Sequence, residues 1–503
     1  MDPYQAIPYT SHSFPETHPE QLAALAQLFG VTAPDPLQGR LLELGCASGG
    51  NLIPLAWYLP NAQLVGVELS PSQAEAGRRR IQALGLDNCE ILTGDATTLD
   101  LGNQGFDYVV VQGLYSWIPA PARNHLLGQI RRQLRPNGVA YLSFNALPGW
   151  RMRGMVRDIL RYHVQDETTA QDQLAAAREL VPFLQTCLDG LDALSARYLR
   201  HELTLLEQAP DSYLYHEFLA DINDAQLFSD FVAAARTQGL RYLCNAELRY
   251  QLPAMLGDRA RTALEAIPDP IERQQYLDFV LNRNFHQTLL IPAELPCRPE
   301  PDYQAFGRLA FHADLSAPPR LELRKARAQP FLGPDGQSHA VTHPLTKAAL
   351  AGLAAVYPAA VLFPDLEAQA RRLVQSQGDA RLAAQGEHLF GELFKLFAEG
   401  LVGATPQPGG AMPAPDLCPR ASALALDEAA QGRLVDRRHR TLILDQTSAA
   451  LVAKLDGSHD RTELAQYAAG PPDRRRRSTL VGSPEVDMLL ARLARLGVFQ
   501  PGN

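Results

Sequence analysis

The sequence predicts an α/β protein: a doubly wound, mainly parallel sheet carrying a helical insertion, followed by two smaller, mainly helical units. Three observations predict it. From residue 39 to 145, short β-branched apolar runs alternate with helical patterns. Strands recurring every ~20–30 residues with helices between them form a parallel sheet covered on both faces. The first run then breaks into the glycine-rich turn of "LLELGCASGGN" at 41–51, at the strand end where such sheets bind ligands. Finally, a proline-rich junction (Pro292, Pro296, Pro299, Pro301) separates this region from a different pattern.

Taken in order, strands are expected at 40–44, 64–69, 90–93, 108–112 and 139–144. Helices are expected at 72–84 and 123–134, the second closed by Pro136-Asn137-Gly138. The segment at about 151–208 reads as a helical insertion. Leu174, Val181 and Leu188, with Ala177, Leu184 and Leu191, form an apolar stripe over two helices interrupted at Pro182. The α/β signal returns over about 209–292 with a helix at 225–238 ended by Gly239, a strand at 240–248, a helix at 272–282 and a last strand at 287–291. These read as closing strands of the same sheet, so the first domain is expected at 39–297, behind an N-terminal segment at 1–38.

Two similar segments follow. One runs from "HPLTKAALAGLAAVYP" at His343 to "ELFKLFAEGLV" ending at Val402; the other runs from "HRTLILDQTSAALVAKLDG" at His439 to "MLLARLARLGVF" ending at Phe499. Each has helices, a terminal helix, a glycine and an apolar residue, the outline of a small winged-helix-like unit. Domains are expected at 298–408 and 421–503, with "TPQPGGAMPAPD" in the linker. Two unrelated helical tails are the competing reading.

Composition removes several function classes. Hydrophobic residues at 46% and charged residues at 20% suit a globular protein with a sizeable core. A net charge of −9 argues against a polyanion as default partner. The run Arg474–Arg477 invites a nucleic-acid reading, but 421–503 holds 12 Lys/Arg against 10 Asp/Glu, too balanced to track phosphates. A protein-docking role for the tails is preferred. The six cysteines contain no CxxC pair, so neither a zinc site nor a disulfide framework is expected and a reducing, cytoplasmic setting fits. No signal-peptide pattern opens the chain, and no apolar stretch approaches the ~20 residues of a membrane helix. His12, His18, His163, His216 and His286 lack metal-ligand spacing, so no metal is expected.

The chemistry is concentrated at the ends of the first strands. Gly45 and Gly49 allow a tight turn that brings bare amides close to a ligand, and Gly50-Asn51 opens the next helix. By itself the loop reads equally as a structural turn. Glu68 ends the second strand in "LVGVELS", near the ~20-residue spacing of a carboxylate that grips ribose hydroxyls. Asp95 ends the third in "ILTGDATTL", where a carboxylate can accept from an adenine amino group. Glu43 would repel a pyrophosphate but attract an ammonium.

Glu43-x-Gly45-x-Ala47-x-Gly49, Glu68, Gly94-Asp95-Ala96 and Phe106-Asp107-Tyr108-Val109-Val110 resemble the successive motifs of class I S-adenosylmethionine-dependent methyltransferases. The resemblance implies a Rossmann-like sheet and S-adenosyl-L-methionine as cofactor. Glu68 would hold the ribose, and Asp95 with the Ala96 amide the adenine. Glu43, Gly45, Ala47, Gly49, Asn51, Leu69, Gln112 and Gly113 would complete the cofactor set. Ala47 departs from the usual central glycine, a change expected to cost little.

A narrower resemblance covers nearly the whole chain. "PYTSHSFPETHPEQLAALAQLFG", "GGNLIPLA", "GLYSWIP" and "ALPGWRMRGMVRDILRYH" resemble one bacterial methyltransferase family. "YLYHEFLADINDAQLFSDFVAAARTQGLRYLCNAEL" and "RQQYLDFVLNRNFHQTLLI" are similar to its methyltransferase regulatory domain. Characterised members of that family are similar to protein-lysine methyltransferases acting on bacterial outer-membrane proteins, which implies a protein lysine as acceptor. The alternatives are a small-molecule or RNA methyltransferase, or a non-catalytic cofactor-binding regulatory protein.

For the acceptor side, Tyr115 and Trp117 either wall a channel for an alkyl ammonium or pack their loop against the next helix. Asn145 would face the acceptor. Glu217, in "YHEFLADIND", either orients the amine or caps a helix. Tyr4, Tyr9 and Phe14 either form a lid over the cofactor or belong to a loose leader, against which their aromatic and proline-rich context argues.

Overall fold

The computed structural model describes residues 6–102, 105–253, 256–377, 380–410, 418–468, 484–496 and 498–499. Its centre is a seven-stranded sheet: β1 (Arg40–Leu44), β2 (Gln63–Glu68), β3 (Cys89–Thr93), β4 (Phe106–Val111), β5 (Leu134–Asn145), β6 (Leu240–Asn245) and β7 (Phe285–Pro292). They lie in the order β3-β2-β1-β4-β5-β7-β6. The first five pair in parallel, and β7 runs antiparallel between β5 and β6. The two closing strands therefore join the same Rossmann-like sheet.

Period-two alternation sends the strand residues to two cores. Leu41, Tyr108 and Tyr141 face one side, whereas Leu42, Val109 and Leu142 face the other. The first side packs on the helix Pro19–Leu28 and continues without a break into Phe306, Phe311, Leu345 and Leu350 of the first tail unit. The proline-rich junction thus crosses a shared core.

Some boundaries differ from the sequence reading, each for a local reason. The helix Ala170–Leu188 runs through Pro182, correcting the expected interruption. Pro182 lies on the exposed face, where water can satisfy the carbonyl that its missing N–H leaves unpaired. Leu191 is exposed beyond the helix end. The helix Ala120–Gln133 hands over directly to β5 at Leu134, so Pro136-Asn137-Gly138 extends a strand where a helix cap was expected. The helix expected at 225–238 is shorter, Phe228–Thr237, and β6 ends at Asn245 before a turn at Leu248–Tyr250.

The tail units repeat an order of elements. The first has β8 (Ala310–His312), a hairpin of β9 (Gln329–Leu332) and β10 (Ser338–Val341), a helix Pro344–Val356, β11 (Val361–Leu362), helices Phe363–Gln377 and Gly386–Ala398, and β12 (Gly403–Thr405). β8 pairs with both β11 and β12. The second has a strand position at 420–421, an additional helix Ala423–Ala430 that the first unit lacks among the described residues, a hairpin of β13 (Arg433–Val435) and β14 (Thr441–Ile443), and helices Gln446–Val452, Arg461–Ala468 and Pro484–Arg495. Arg420 bridges to Asp456 and Ala421 to Phe499, as β8 does to β11 and β12. This second unit buries a core of its own, whereas the first shares that of the sheet. The Arg474–Arg477 run lies outside the described residues.

Candidate active site

β1 sits between β2 and β4, so the chain leaves it on one side and returns on the other. That reversal opens a crevice at the carboxyl ends of the strands, the general ligand position in such sheets. A cavity of about 370 Å³ occupies it, lined by the loops after β1, β2, β3 and β4, by the N-terminal segment, and by the turn at His216 and Glu217.

The glycine-rich loop is tied to β2. The amides of Gly45 and Cys46 both donate to the Val67 carbonyl, at 2.8 and 3.1 Å. Gly45 and Gly49 have φ of 82° and 78°, the left-handed region that suits glycine. Ala47 also lies there, at φ 49°. Its departure from glycine therefore carries a backbone cost of about 1 kcal/mol, a correction to the expectation of a nearly free substitution. Gly50 has another purpose: a Cβ on it would sit 2.5 Å from the Ser11 carbonyl. The doubled glycine gives one residue to the turn and one to the close approach of the N-terminal segment.

The acidic residues divide the cavity. Glu68 accepts from the amides of Ala47 (2.9 Å) and Ser70 (2.8 Å), so its carboxylate both shapes the loop and presents its oxygens at the end of β2. Asp95 accepts on Oδ1 from the amide and hydroxyl of Thr97, at 2.8 and 2.7 Å. Leu69, 60% exposed, and Ala96 stand beside them as apolar surface for a flat ring. Gln112 is held by the Tyr141 hydroxyl at 2.7 Å, and the Gly113 amide donates to Ser143 Oγ at 2.9 Å.

Glu43 is buried at the loop's floor. Its Oε1 accepts from Asn51 Nδ2 at 2.9 Å, and its Oε2 has no partner among the described residues. Burial pushes its carboxyl up to about 8, with Asn51 pulling down and Glu68 pushing further up. An orphaned carboxylate oxygen, two further carboxylates and an apolar ledge fit S-adenosyl-L-methionine, whose ammonium would restore the ionised form of Glu43.

That fit makes a stability prediction. The folded state holds the Glu43 proton above its ordinary 4.5, up to about 8. The folded protein therefore binds more protons than the unfolded chain across that window, and stability falls as pH rises through it. Glu43→Gln removes this loss. At pH 8 the ligand-free variant should be more stable than wild type by on the order of a few kcal/mol and so melt at a higher temperature, while binding S-adenosylhomocysteine (AdoHcy), the demethylated form of the cofactor, more weakly. Equal pH dependence of the two melting curves would refute the assignment.

The other end of the cavity is aromatic. Tyr9 and Phe14 come from the N-terminal segment, Trp117 from the loop after β4, and Phe285 from the start of β7. Trp117 donates its indole N–H to the His216 carbonyl at 3.1 Å, and Tyr9 meets the His216 ring edge-on. Burial, with Glu217 and Tyr213 adding to it, pushes the Tyr9 phenol up to about 12, so it remains a neutral donor. Tyr4 lies outside the described residues.

Glu217 sits on a π-helical turn, Tyr215–Leu219, a geometry frequent at functional sites. It lines the cavity with Oε2 buried and unpartnered among the described residues. Burial pushes its carboxyl up to about 7 against the pull of Arg153, Asn223 and Arg157.

Three expected site residues stand behind the cavity. Tyr115 is 1% exposed and packs edge-on against Phe144 and Phe231, so of the loop's two aromatics only Trp117 lines the wall. Asn145 is buried, donates to Asn223 Oδ1 at 2.7 Å, and Asn223 in turn donates to the Glu217 carbonyl at 2.9 Å. It supports the Glu217 turn, correcting the expectation that it faces an acceptor. Gly49 shapes the turn, its side packed against Ile53 and Ile91. The sequence reading missed Ser11, His12, Ser70, Gln73 and Thr97 as lining residues. Adjacency to Glu68 and Asp95 would have found two of them, Ser70 and Thr97.

This sheet, with its cleft at the β1 reversal and carboxylates ending β1, β2 and β3, defines a class I methyltransferase. The family models agree: residues 41–138 match the methyltransferase domain and residues 210–291 the "predicted methyltransferase regulatory domain". The uncharacterized protein RP789 of Rickettsia prowazekii is 37% identical over 58% of this chain and 53% of its own length. Its compatriot RP028 is 32% identical over 48% of this chain and 96% of its own length. The chain thus spans about half of RP789 and nearly all of RP028. The structure of PKMT2 from Rickettsia typhi in complex with AdoHcy superposes over 98% of this chain and all of its own, with a TM-score of 0.83 and 24% identity, so the whole fold is shared. The chain belongs to the S-adenosylmethionine-dependent methyltransferases that carry a methyltransferase regulatory domain.

Proposed function

We propose that the protein transfers a methyl group from S-adenosyl-L-methionine to the side-chain amine of a protein lysine. The observation that carries this reading is the orphaned Glu217 carboxylate oxygen in the aromatic end of the cavity that also holds Glu43, Glu68 and Asp95. A carboxylate among Tyr9, Phe14 and Trp117 suits a cationic alkyl chain, since aromatic faces and an anion both attract ammonium.

When bound, the cofactor supplies an electrophilic methyl on a positively charged sulfur. The protein's work is alignment and exclusion of water. Glu68 and Asp95 would hold the adenosine and Glu43 the amino-acid end. Glu217 would draw in the lysine ammonium, and once that proton has passed to solvent its carboxylate would accept an N–H of the neutral amine and hold it in line. An unperturbed lysine loses that proton near ~10.4, and the apolar walls lower this value by desolvation. The transfer forms one N–C bond, breaks one S–C bond, and leaves a thioether with an alkylammonium. PKMT2, alike in fold and solved with AdoHcy, is consistent with the cofactor half of this reading.

The tails, taken as units at 298–408 and 421–503, would select the protein substrate. A cytoplasmic setting fits the free thiols, all six cysteines being unbridged. No helix among the described residues is long and apolar enough to cross a membrane. The test is transfer of labelled methyl into a cell lysate, followed by mass spectrometry of the modified species. Label on lysine residues of protein is expected. Label confined to metabolites or nucleic acid would refute the lysine acceptor.

A further inference from the structure

The second tail unit reaches the cofactor end of the cavity. The turn between β13 and β14 places His439, at φ 67° and 1% exposed, beside the start of the helix Leu52–Tyr58. His439 Nε2 lies 2.7 Å from Asn51 Oδ1. The same oxygen accepts from the Phe14 amide at 3.0 Å, and Thr17 Oγ1 lies 3.1 Å away with its hydroxyl shared with the Phe14 carbonyl at 2.8 Å. The Phe14 amide, which can only donate, marks this side of the Asn51 amide as the oxygen, and the His439 ring closes on the same atom from the second tail unit. The Asn51 Nδ2 must then face Glu43 Oε1, at 2.9 Å, and Oε2 of Glu43, a residue that lines the cavity, is left buried and without a partner among the described residues. With the amide reversed, Asn51 oxygen would face Glu43 Oε1, and the ionised form that an ammonium ligand calls for would set two acceptors against each other.

The turn is well anchored for this. Tyr58 donates its hydroxyl to the Val435 carbonyl at 3.0 Å, and Arg437 donates to the Tyr58 carbonyl at 3.2 Å. Arg433 donates to the Ser11 carbonyl at 2.7 Å, while Ser11 Oγ accepts from the Gly50 amide at 2.7 Å. The turn itself is closed by His439 N–H to the Asp436 carbonyl and by Arg440 N–H to Asp436 Oδ1. Burial, with the neighbouring His18 adding to it, holds the His439 imidazole well below its ordinary value, so the ring is neutral, and facing the Asn51 oxygen it carries its proton on Nε2.

We propose that His439 is a positioning residue for the cofactor's amino-acid end: through Asn51 it orients Glu43, so that capture of that end requires the second tail unit in place. This rests on the cofactor reading above and adds a role for the tail besides substrate selection. It also separates the two ends of the cofactor, because Glu68 and Asp95, at the adenosine end, are outside the relay.

The test is calorimetric titration of the full-length protein with two ligands. AdoHcy carries the amino-acid end; 5′-methylthioadenosine keeps the adenosine and thioether without it. His439→Phe preserves buried volume but removes the donor, and His439→Gln restores one. His439→Phe should weaken AdoHcy about 10-fold and leave methylthioadenosine unchanged, with His439→Gln recovering most of the loss. His439→Ala carries the same expectation should the phenylalanine variant fold poorly, and thermal midpoints report on folding. Equal weakening of both ligands, or no change in either, overturns the proposal. Wild type failing to bind AdoHcy overturns the cofactor reading and this one with it.

Discussion

Glu68→Ala should lower affinity for AdoHcy on the order of 100-fold, the loss expected when charge-assisted hydrogen bonds of about 1.5–3 kcal/mol each disappear. Two effects add. The carboxylate would hold the ribose hydroxyls, and it already binds the Ala47 and Ser70 amides. Without it, Ala47 loses the bond that compensates its left-handed backbone, and the loop relaxes. Titration of AdoHcy into wild type and variant measures the effect. Asp95→Asn should lose much less, because it keeps an acceptor oxygen of the same shape. An affinity for Glu68→Ala within a few-fold of wild type would remove Glu68 from the site.

Glu217→Gln should reduce kcat by on the order of 100-fold, the lower range for loss of a positioned acid–base or orienting group. The pH profile carries the sharper expectation. Glu217 is neutral below about 7 and anionic above it. A neutral carboxyl cannot draw in an ammonium, so wild-type kcat/KM should rise as pH passes through that value. The glutamine variant has no such group, and this lower limb should vanish while any rise toward the lysine pKa remains. Measuring initial rates from pH 6 to 9 with both proteins decides it. A limb that survives in Glu217→Gln would assign the titration to another residue.

Much of the cofactor half was legible in the sequence, because it depends on local chemistry. A strand end, a tight turn and an acidic residue each leave a signature within a few positions, and the strand spacing fixes their meeting at one sheet edge. Glu43, Gly45, Ala47, Asn51, Glu68, Leu69, Asp95, Ala96, Gln112 and Gly113 all line or brace that edge. The acceptor half was less legible, since direction depends on neighbours distant in the chain. Tyr115 and Trp117 are two residues apart, yet one packs on Phe144 and Phe231 while the other meets the cavity. Which aromatic turned inward was decided by the helix Phe228–Thr237, which supplies Phe231 more than a hundred positions later.

"LLELGCASGGN" marks the same division. Composition and spacing gave a glycine-rich turn after a strand with an acidic residue at the strand end, and the resemblance of the successive motifs implied a methyl donor. Tertiary structure decided the rest. Gly50 is glycine because Ser11 lies against it, and Asn51 is oriented by His439 from 388 positions away. A hydrogen-bonded turn is encoded by the residues that form it. The polarity of a buried amide is set by every donor that surrounds it, and those donors come together only when the chain has folded.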